Sequence, residues 1–135
     1  MSEPSPVIVV DDSLPPGLAA NAAAVLALTL GARVPGLVGA ELVDADDQRH
    51  PGLIPIGLPV LRAPRDRLAG LRASAGAAGV EVIGFPAVGQ QTNDYDEVRR
   101  HVAETPAAAL DFLGLALYGS KQAVRRLTGS LPLLR

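Results

Sequence analysis

The chain has 135 residues and a net charge of −2, and 48% of its residues are hydrophobic whereas 19% are charged. This length and composition argue against intrinsic disorder and predict a single domain over residues 1–135, with a flexible segment at residues 1–5. Because cysteine is absent, disulfides, thiolate catalysis and zinc sites built on cysteine are excluded as well.

Charge is distributed unevenly along the chain. Residues 1–47 carry seven acids against Arg33 alone, which gives this segment a net charge of −6. Residues 112–135 carry four basic residues and no acid. The asymmetry predicts either a positive patch near the C-terminus or a solvated helix face. The acidic, proline-rich start is unlike a signal peptide, and no apolar run reaches the length of a membrane span. We therefore expect a cytoplasmic protein without a membrane partner.

The first predicted unit is a strand followed by a loop and a helix. Residues 7–10 are an uninterrupted β-branched run, which indicates a strand covered on both faces. The loop over residues 11–17 contains two prolines that suit the start of a helix. Residues 18–30 are rich in alanine and leucine, which predicts a helix that is buried on nearly all sides and ends at Gly31.

Proline and glycine interrupt the middle of the chain. Residues 41–49, with turn residues at 46–48, predict a β-hairpin. Residues 54–61 predict a strand that two prolines restrict to an edge or a bulge. A second helix is predicted over residues 64–78, with Gly79 as its end.

The second half of the chain continues the alternation of strands and helices. The predicted elements are a strand at 80–85, a helix at 95–104, a strand at 113–118, a helix at 121–128 and a short last strand at 130–134. This alternation predicts an α/β fold with a mixed, mostly parallel sheet of about four strands and helices on both faces.

Ligands of open α/β sheets bind beyond the carboxyl ends of the strands. Polar residues in or near the corresponding loops are therefore candidate ligand-binding residues: Asn21, Gln90, Gln91, Thr92 and Lys121. Asn21 lies in an apolar helix, and burying an unpaired amide costs about 1–3 kcal/mol. We therefore expect it to bond either to a neighbouring loop or to a ligand. The polar loop at 90–94 suits a polar ligand or a bound water, or else only caps the next helix.

Other polar residues give weaker indications of chemistry. Lys121 begins a predicted helix, whose free N–H groups suit an anion. No glycine-rich nucleotide fingerprint occurs, so we expect no cofactor. Asp11 and Asp12 suit either a divalent cation or the turn of a loop, but two ligands are too few for a metal site to be predicted. His50 and His101 have no nucleophile at a diagnostic spacing and are expected to be structural.

Two segments resemble a bacterial family known only as a domain of unknown function: residues 6–31 (PVIVVDDSLPPGLAANAAAVLALTLG) and 113–134 (LGLALYGSKQAVRRLTGSLPLL). Residues 50–61 (HPGLIPIGLPVL) and 90–97 (QQTNDYDE) are also typical of that family. The resemblance implies the fold of type II peptidyl-tRNA hydrolases, which is a mixed sheet of about four strands with helices on both faces.

The hydrolases themselves are similar to the chain at two places. Their first helix reads Gly-Lys-x-Ala-Ala-Gln where this chain has PGLAAN at 16–21, and they close with Val-Thr-Gly-His-Leu-Lys-Leu where it has LTGSLPL at 127–133. The family's lysine falls near Gly17, and its Asp-Ala-Gly-x-Thr-Gln motif falls near residues 86–92, where this chain has no aspartate. The resemblance therefore implies a retained scaffold whose catalysis is lost or changed.

Three functions remain open at this point. The leading hypothesis is a binding or regulatory module that holds a small polar or anionic ligand at the strand ends. The second is an ester hydrolase that resembles the type II peptidyl-tRNA hydrolases and binds tRNA through Lys121, Arg125 and Arg126. The third is a non-catalytic interaction protein. We also expect a homodimer, which is common among small domains.

Overall fold

The computed structural model describes residues 3–135, which form six strands and four α-helices. The strands are β1 (Pro4–Asp11), β2 (Leu42–Val43), β3 (Arg49–His50), β4 (Val60–Ala63), β5 (Glu81–Pro86) and β6 (Phe112–Ser120). The helices are α1 (Pro16–Arg33), α2 (Leu68–Ala77), α3 (Tyr95–Ala103) and α4 (Lys121–Thr128). Short 3-10 turns lie at residues 65–67, 87–90 and 107–109.

Four strands form one mixed sheet in the order β4-β1-β6-β5. Strand β1 pairs in parallel with β4, whereas β6 runs antiparallel to both β1 and β5. The α/β class and the mixed four-stranded sheet are confirmed, but the expectation of mostly parallel pairing is wrong. The reason lies between β5 and β6, where Pro86 pairs with Phe112. The chain thus enters β6 at the end where it left β5, and α3 does not act as the crossover that a parallel pair needs.

The direction of β6 separates the carboxyl ends of the strands. We call the end of the sheet where β1, β4 and β5 finish the upper end. We call the end where β6 finishes the lower end, since Ser120 there pairs with Pro4 at the start of β1. A site at the carboxyl ends of β1 and β5 therefore lies at the opposite end of the sheet from the carboxyl end of β6.

Helices cover both faces of the sheet, as predicted. Helix α1 packs on one face around Leu26, Leu30 and Phe85, and α2 and α4 pack on the other around Leu68 and Val124. The prediction that α1 is buried on nearly all sides is wrong, because only the side of α1 that faces the sheet is covered. Its outer side lies in solvent, where apolar residues are exposed: Leu18, Val25 and Leu28.

Element boundaries differ from the prediction in small ways. Helix α1 continues through Gly31, and a glycine with positive φ occurs only later, at Gly36. Gly79 has φ of 73° and follows the end of α2, as predicted. The predicted hairpin is present as β2 and β3. Strand β4 begins only after Pro59 and lies at a sheet edge, and the predicted last strand is reduced to a single bridge at Leu133.

The N-terminal residues are partly included in the sheet. Residues 4–5 of the segment expected to be flexible begin β1 and pair with β6. Residues 1–2 lie outside the described residues. Within residues 3–135, no helix has the length and apolar character needed to cross a membrane.

Candidate functional site

A crevice of about 880 Å³ lies towards the upper end of the sheet, between α1, β5 and α3. Its walls are formed mainly by apolar side chains: Leu18, Val25, Leu26, Ile83, Phe85, Val98 and Val102. Polar side chains also line it: Asn21, Thr29, Gln90, Thr92, Asn93, Tyr95 and Arg99. The crevice therefore combines apolar walls with hydrogen-bonding groups, which is the usual composition of small-molecule sites.

Three of the five predicted ligand-binding residues line this crevice, namely Asn21, Gln90 and Thr92. Gln91 is exposed and is not among the lining residues. Lys121 begins α4 at the lower end, where it lines a different cavity. The expectation that Lys121 shares a site with Asn21 and Thr92 is wrong, because β6 runs opposite to β1 and β5.

Asn21 lies on the exposed side of α1 and forms no hydrogen bond with any residue in 3–135, so the expectation that it is buried is also wrong. The other two predicted residues already have partners. Gln90 Nε2 donates to the carbonyl oxygen of Leu18 at 3.3 Å, and Thr92 Oγ1 accepts from the N–H of Asp94 at 3.0 Å. Gln90 and Thr92 therefore hold the loop in place, whereas the carboxamide of Asn21 is available to a ligand.

The crevice reaches the free edge of β5. Residues 83–86 all line it, although consecutive side chains of a strand point to opposite faces. Ile83 and Phe85 face the α1 side, but a Cβ on Gly84 would lie 2.5 Å from Cε1 of Phe112, which belongs to the core on the other face. Gly84 thus borders the crevice with its backbone. Strand β5 has β6 as its one neighbour in the described sheet, so its outer edge offers backbone N–H and C=O groups.

Tyr95 and Arg99 were not among the residues predicted from the sequence. Tyr95 is 75% exposed at the rim of the crevice. The Nη1 atom of Arg99 lies 3.8 Å from a carboxylate oxygen of Asp96, on the exposed side of α3. Tyr95, Arg99 and Val102 are spaced i, i+4 and i+7, which places them on one helix face. That spacing is visible in the sequence, but it does not show that this side of α3 faces a crevice.

A second polar cluster lies at the upper end, among residues that do not line the crevice. Asp11 is buried, and its Oδ1 accepts from the N–H and the hydroxyl of Ser13 at 2.9 and 2.7 Å. Its Oδ2 has no hydrogen-bond partner among residues 3–135, but Nη1 of Arg65 lies 3.8 Å away. Arg65 also forms two hydrogen bonds with the carboxylate of Asp111, which raises the pKa of the guanidinium.

These contacts agree with the interpretation of Asp11 as a residue that turns its loop. A metal ion bound by Asp11 would need further acidic ligands close to Oδ2, but the cationic side chain of Arg65 lies there instead. Across the described part of the chain, no group of three or more histidine, aspartate or glutamate residues is arranged to hold a metal ion.

The two histidines lie away from the crevice walls. His50 Nε2 lies 2.8 Å from Oδ2 of Asp44 in the hairpin, and this hydrogen bond lowers the pKa of the Asp44 carboxyl. His101 is exposed on α3, and its carbonyl oxygen accepts from the hydroxyl of Thr105. His50 thus has the structural role expected of it.

Comparisons with known proteins place the chain in a family. No curated protein matches it significantly. The solved structure of a protein of unknown function from Agrobacterium tumefaciens strain C58 has a TM-score of 0.89 over 98% of each chain, at 15% identity. At that identity the similarity concerns the fold alone. The family model described as protein of unknown function, DUF2000, matches residues 6–135. The chain therefore belongs to the DUF2000 family.

Proposed function

We propose that this chain is a binding protein whose crevice takes a small ligand with an apolar body and a polar end. The observation that carries the proposal is the exposed carboxamide of Asn21, which has no partner among the described residues and lies beside apolar walls. A carboxamide both donates and accepts hydrogen bonds, so it suits an alcohol, an amide, an ester or a carboxylate.

The size and walls of the crevice suit such a ligand. Its volume of about 880 Å³ falls within the range of roughly 300–1,000 Å³ that is common for small-molecule sites. Leu18, Val25 and Phe85 would be covered by the apolar body of the ligand, and covering apolar surface contributes about 25 cal/mol per Å². The affinity would therefore come mainly from the walls, and the orientation from the polar groups.

The polar end of the ligand has two sets of partners. Asn21 lies on α1, and the free edge of β5 supplies backbone donors and acceptors. The sequence hypothesis of an anionic ligand relied on Lys121, which lies at the lower end. Within the crevice the cationic group is Arg99, which already lies near Asp96. We therefore propose a polar ligand, with Arg99 as the partner of any carboxylate it carries.

A thermal-shift experiment tests the proposal. The wild-type protein is melted with a panel of short-chain alcohols, amides, esters and carboxylates, because a compound that binds only the folded state raises Tm. We expect at least one amphipathic member to raise Tm, and we expect Asn21→Ala to reduce that shift. The substitution is on the exposed side of α1 and leaves core residues such as Leu26 unchanged. The Tm of this variant without compound should therefore stay near that of the wild type.

Gln91→Ala is the matched control, because Gln91 is an exposed amide close to the crevice that does not line it. It should keep the full ligand-induced shift. If no panel member raises Tm, or if Asn21→Ala and Gln91→Ala behave alike, the crevice does not bind ligands in the way proposed. Release of acid from the ester members of the panel would instead favour the hydrolase hypothesis.

The type II peptidyl-tRNA hydrolase fold also remains a proposal, supported by the resemblance of residues 16–21 and 127–133. The four-stranded mixed sheet with helices on both faces agrees with it, but that description fits other α/β folds too. Superposing the coordinates on a hydrolase of that type tests it. The proposal predicts the same strand order and the same reversed strand, and a different order would contradict it.

A further inference from the structure

An arm at the lower end of the molecule exposes apolar and acidic side chains. The arm comprises residues 38–54, which include the hairpin β2–β3. Four of its large apolar side chains are exposed, with fractions from 49% at Leu42 to 69% at Leu53 and with Val38 and Val43 in between. It also carries four acids and one arginine, for a net charge of −3. An exposed patch of this mixed kind is typical of an interaction surface.

The arm is braced by its own contacts. The N–H of Gly39 donates to the carbonyl of Leu53 at 2.9 Å, and a Cβ on Gly52 would lie 2.1 Å from the carbonyl oxygen of Gly39, so the two limbs touch. Near the tip, Asp44 accepts from two backbone N–H groups and contacts His50. Arg49 pairs with Glu41. Contacts within residues 38–54 therefore hold the shape of the arm.

Helix α4 presents the opposite charge at the same end of the molecule. Lys121, Arg125 and Arg126 are exposed, and none of them forms an ion pair with a residue in 3–135. Residues 121–128 contain no acid, so their net charge is +3. Beside α4 lies a cavity of about 420 Å³, bordered by Lys121, Arg125 and the apolar side chains of Ile56 and Val124.

We infer that the arm of one copy docks on α4 of a second copy, so that the chain forms a two-fold dimer. The charges of the two surfaces are complementary at −3 and +3, and within residues 3–135 no ion pair joins Lys121, Arg125 or Arg126 to the arm. Leu42 and Val43 lie between Glu41 and Asp44 in the chain and point to opposite faces of the hairpin, so whichever face docks brings one apolar side chain to the apolar residues beside Val124.

The place of the two surfaces in the fold explains why the partner is a second copy. Ile56 and Gly57, which follow the arm in the chain, border the same cavity as α4. The base of the arm and α4 therefore lie side by side at the lower end. In a two-fold dimer each copy gives one arm and receives one, and such an arrangement closes on itself. Of the arm's four acids, Asp46 and Asp47 are exposed and form no ion pair with a residue in 3–135, so these two are available to the partner.

Charge reversal in solution tests the inference. Sedimentation velocity on the full chain should show a dimer in about 0.05 M salt and dissociation in about 0.5 M salt, because salt screens exposed charges. Asp46→Lys with Asp47→Lys reverses the charge of the arm and leaves in place Asp44, which holds the turn, and the pair of Glu41 with Arg49. Lys121→Glu with Arg125→Glu reverses α4. Each double variant alone should be monomeric, and circular dichroism should confirm that it is folded.

Mixing the two double variants provides the decisive test. In the mixed pair both arm–helix contacts bring opposite charges together again, so a heterodimer should form. As a matched control, Asp66→Lys with Glu104→Lys makes the same change of net charge at exposed sites away from both surfaces. This control should remain dimeric.

Three results would overturn the inference: a monomer at every salt concentration, a dimer that both reversals leave intact, or two monomeric variants that do not associate when mixed. A fourth concerns a different partner. If the wild type is monomeric and binds RNA in low salt, and Lys121→Glu with Arg125→Glu abolishes that binding, the basic face of α4 serves a nucleic acid instead.

Discussion

The two ends of the sheet differ in chemistry. At the upper end, the crevice between α1, β5 and α3 has apolar walls and mostly neutral hydrogen-bonding groups, with Arg99 as its cationic group and Asn21 without a partner among residues 3–135. At the lower end, an acidic arm and a basic helix lie exposed within one copy. The upper end therefore suits a small ligand held by apolar contact, whereas the lower end suits a macromolecular partner held partly by charge.

This difference shows how much depends on the direction of a single strand. Asn21, Thr92 and Lys121 all lie just beyond predicted strands, so the sequence suggested one site. Because β6 runs opposite to β1 and β5, Lys121 lies at the other end of the sheet. A positive charge that suggested an anion site beside Asn21 instead belongs to a separate surface.

The largest expected effect concerns the two sides of α1, which forms one wall of the crevice. Leu26 is 1% exposed and Leu28 is 78% exposed. Leu26→Ala should lower the free energy of unfolding by about 2–5 kcal/mol because it leaves a cavity in the core. Leu28→Ala should change it by less than about 0.5 kcal/mol. Urea denaturation measures both. Equal losses would mean that α1 is covered on both sides, as the sequence suggested.

A smaller effect is expected at the free edge of β5. Gly84→Ala would place a Cβ within 2.5 Å of Phe112, so we expect a loss of about 1–3 kcal/mol in the free energy of unfolding. Gly70 in α2 has no atom within 4 Å of a new Cβ, and Gly70→Ala should stabilise the fold by about 0.5–1 kcal/mol. Thermal unfolding compares the two variants. A tolerated Gly84→Ala would show that β5 is less tightly placed against Phe112 than described.

The smallest effect concerns ionisation in the acidic arm. The hydrogen bond from His50 lowers the pKa of Asp44, so the folded arm favours the carboxylate. Ionised Asp44 therefore stabilises the arm above its unfolded-state pKa, and this stabilisation is lost as the pH falls through the lowered folded-state value. His50→Ala should raise the pKa of Asp44 towards its ordinary value, as measured by NMR titration of the side chain. His101→Ala should leave it unchanged, and an equal shift in both variants would contradict the assignment.

The local elements were well predicted because their signals are local. The β-branched run at 7–10, the positive φ of Gly79 and the cap at Asp94 each depend on a few neighbouring residues. The direction of β6 could not be predicted in this way, because pairing joins residues far apart in the chain. The exposure of Leu28 could not be predicted either, because an apolar residue type does not show whether another layer of secondary structure covers its side chain.

The candidate site was predicted in part for the same reason. Asn21, Gln90 and Thr92 follow strands that run in the same direction, so the rule for strand ends brought them together correctly. The free edge of β5 depends on strand order, which the sequence did not indicate. Arg99 was not predicted, because an arginine on a helix is usually solvated and its spacing from Tyr95 does not show that this side of α3 faces a crevice.

Native mass spectrometry of two variants tests the separation of the two ends most directly, since it reports bound ligand and oligomeric state together. Three proteins are measured with the panel compound that raises the Tm of the wild type. They are the wild type, the variant Asn21→Ala and the double variant Lys121→Glu with Arg125→Glu. We predict that Asn21→Ala loses the compound and remains dimeric, whereas the α4 variant keeps the compound and becomes monomeric. A folded variant that loses both properties, or the reverse assignment of the two losses, would contradict the account.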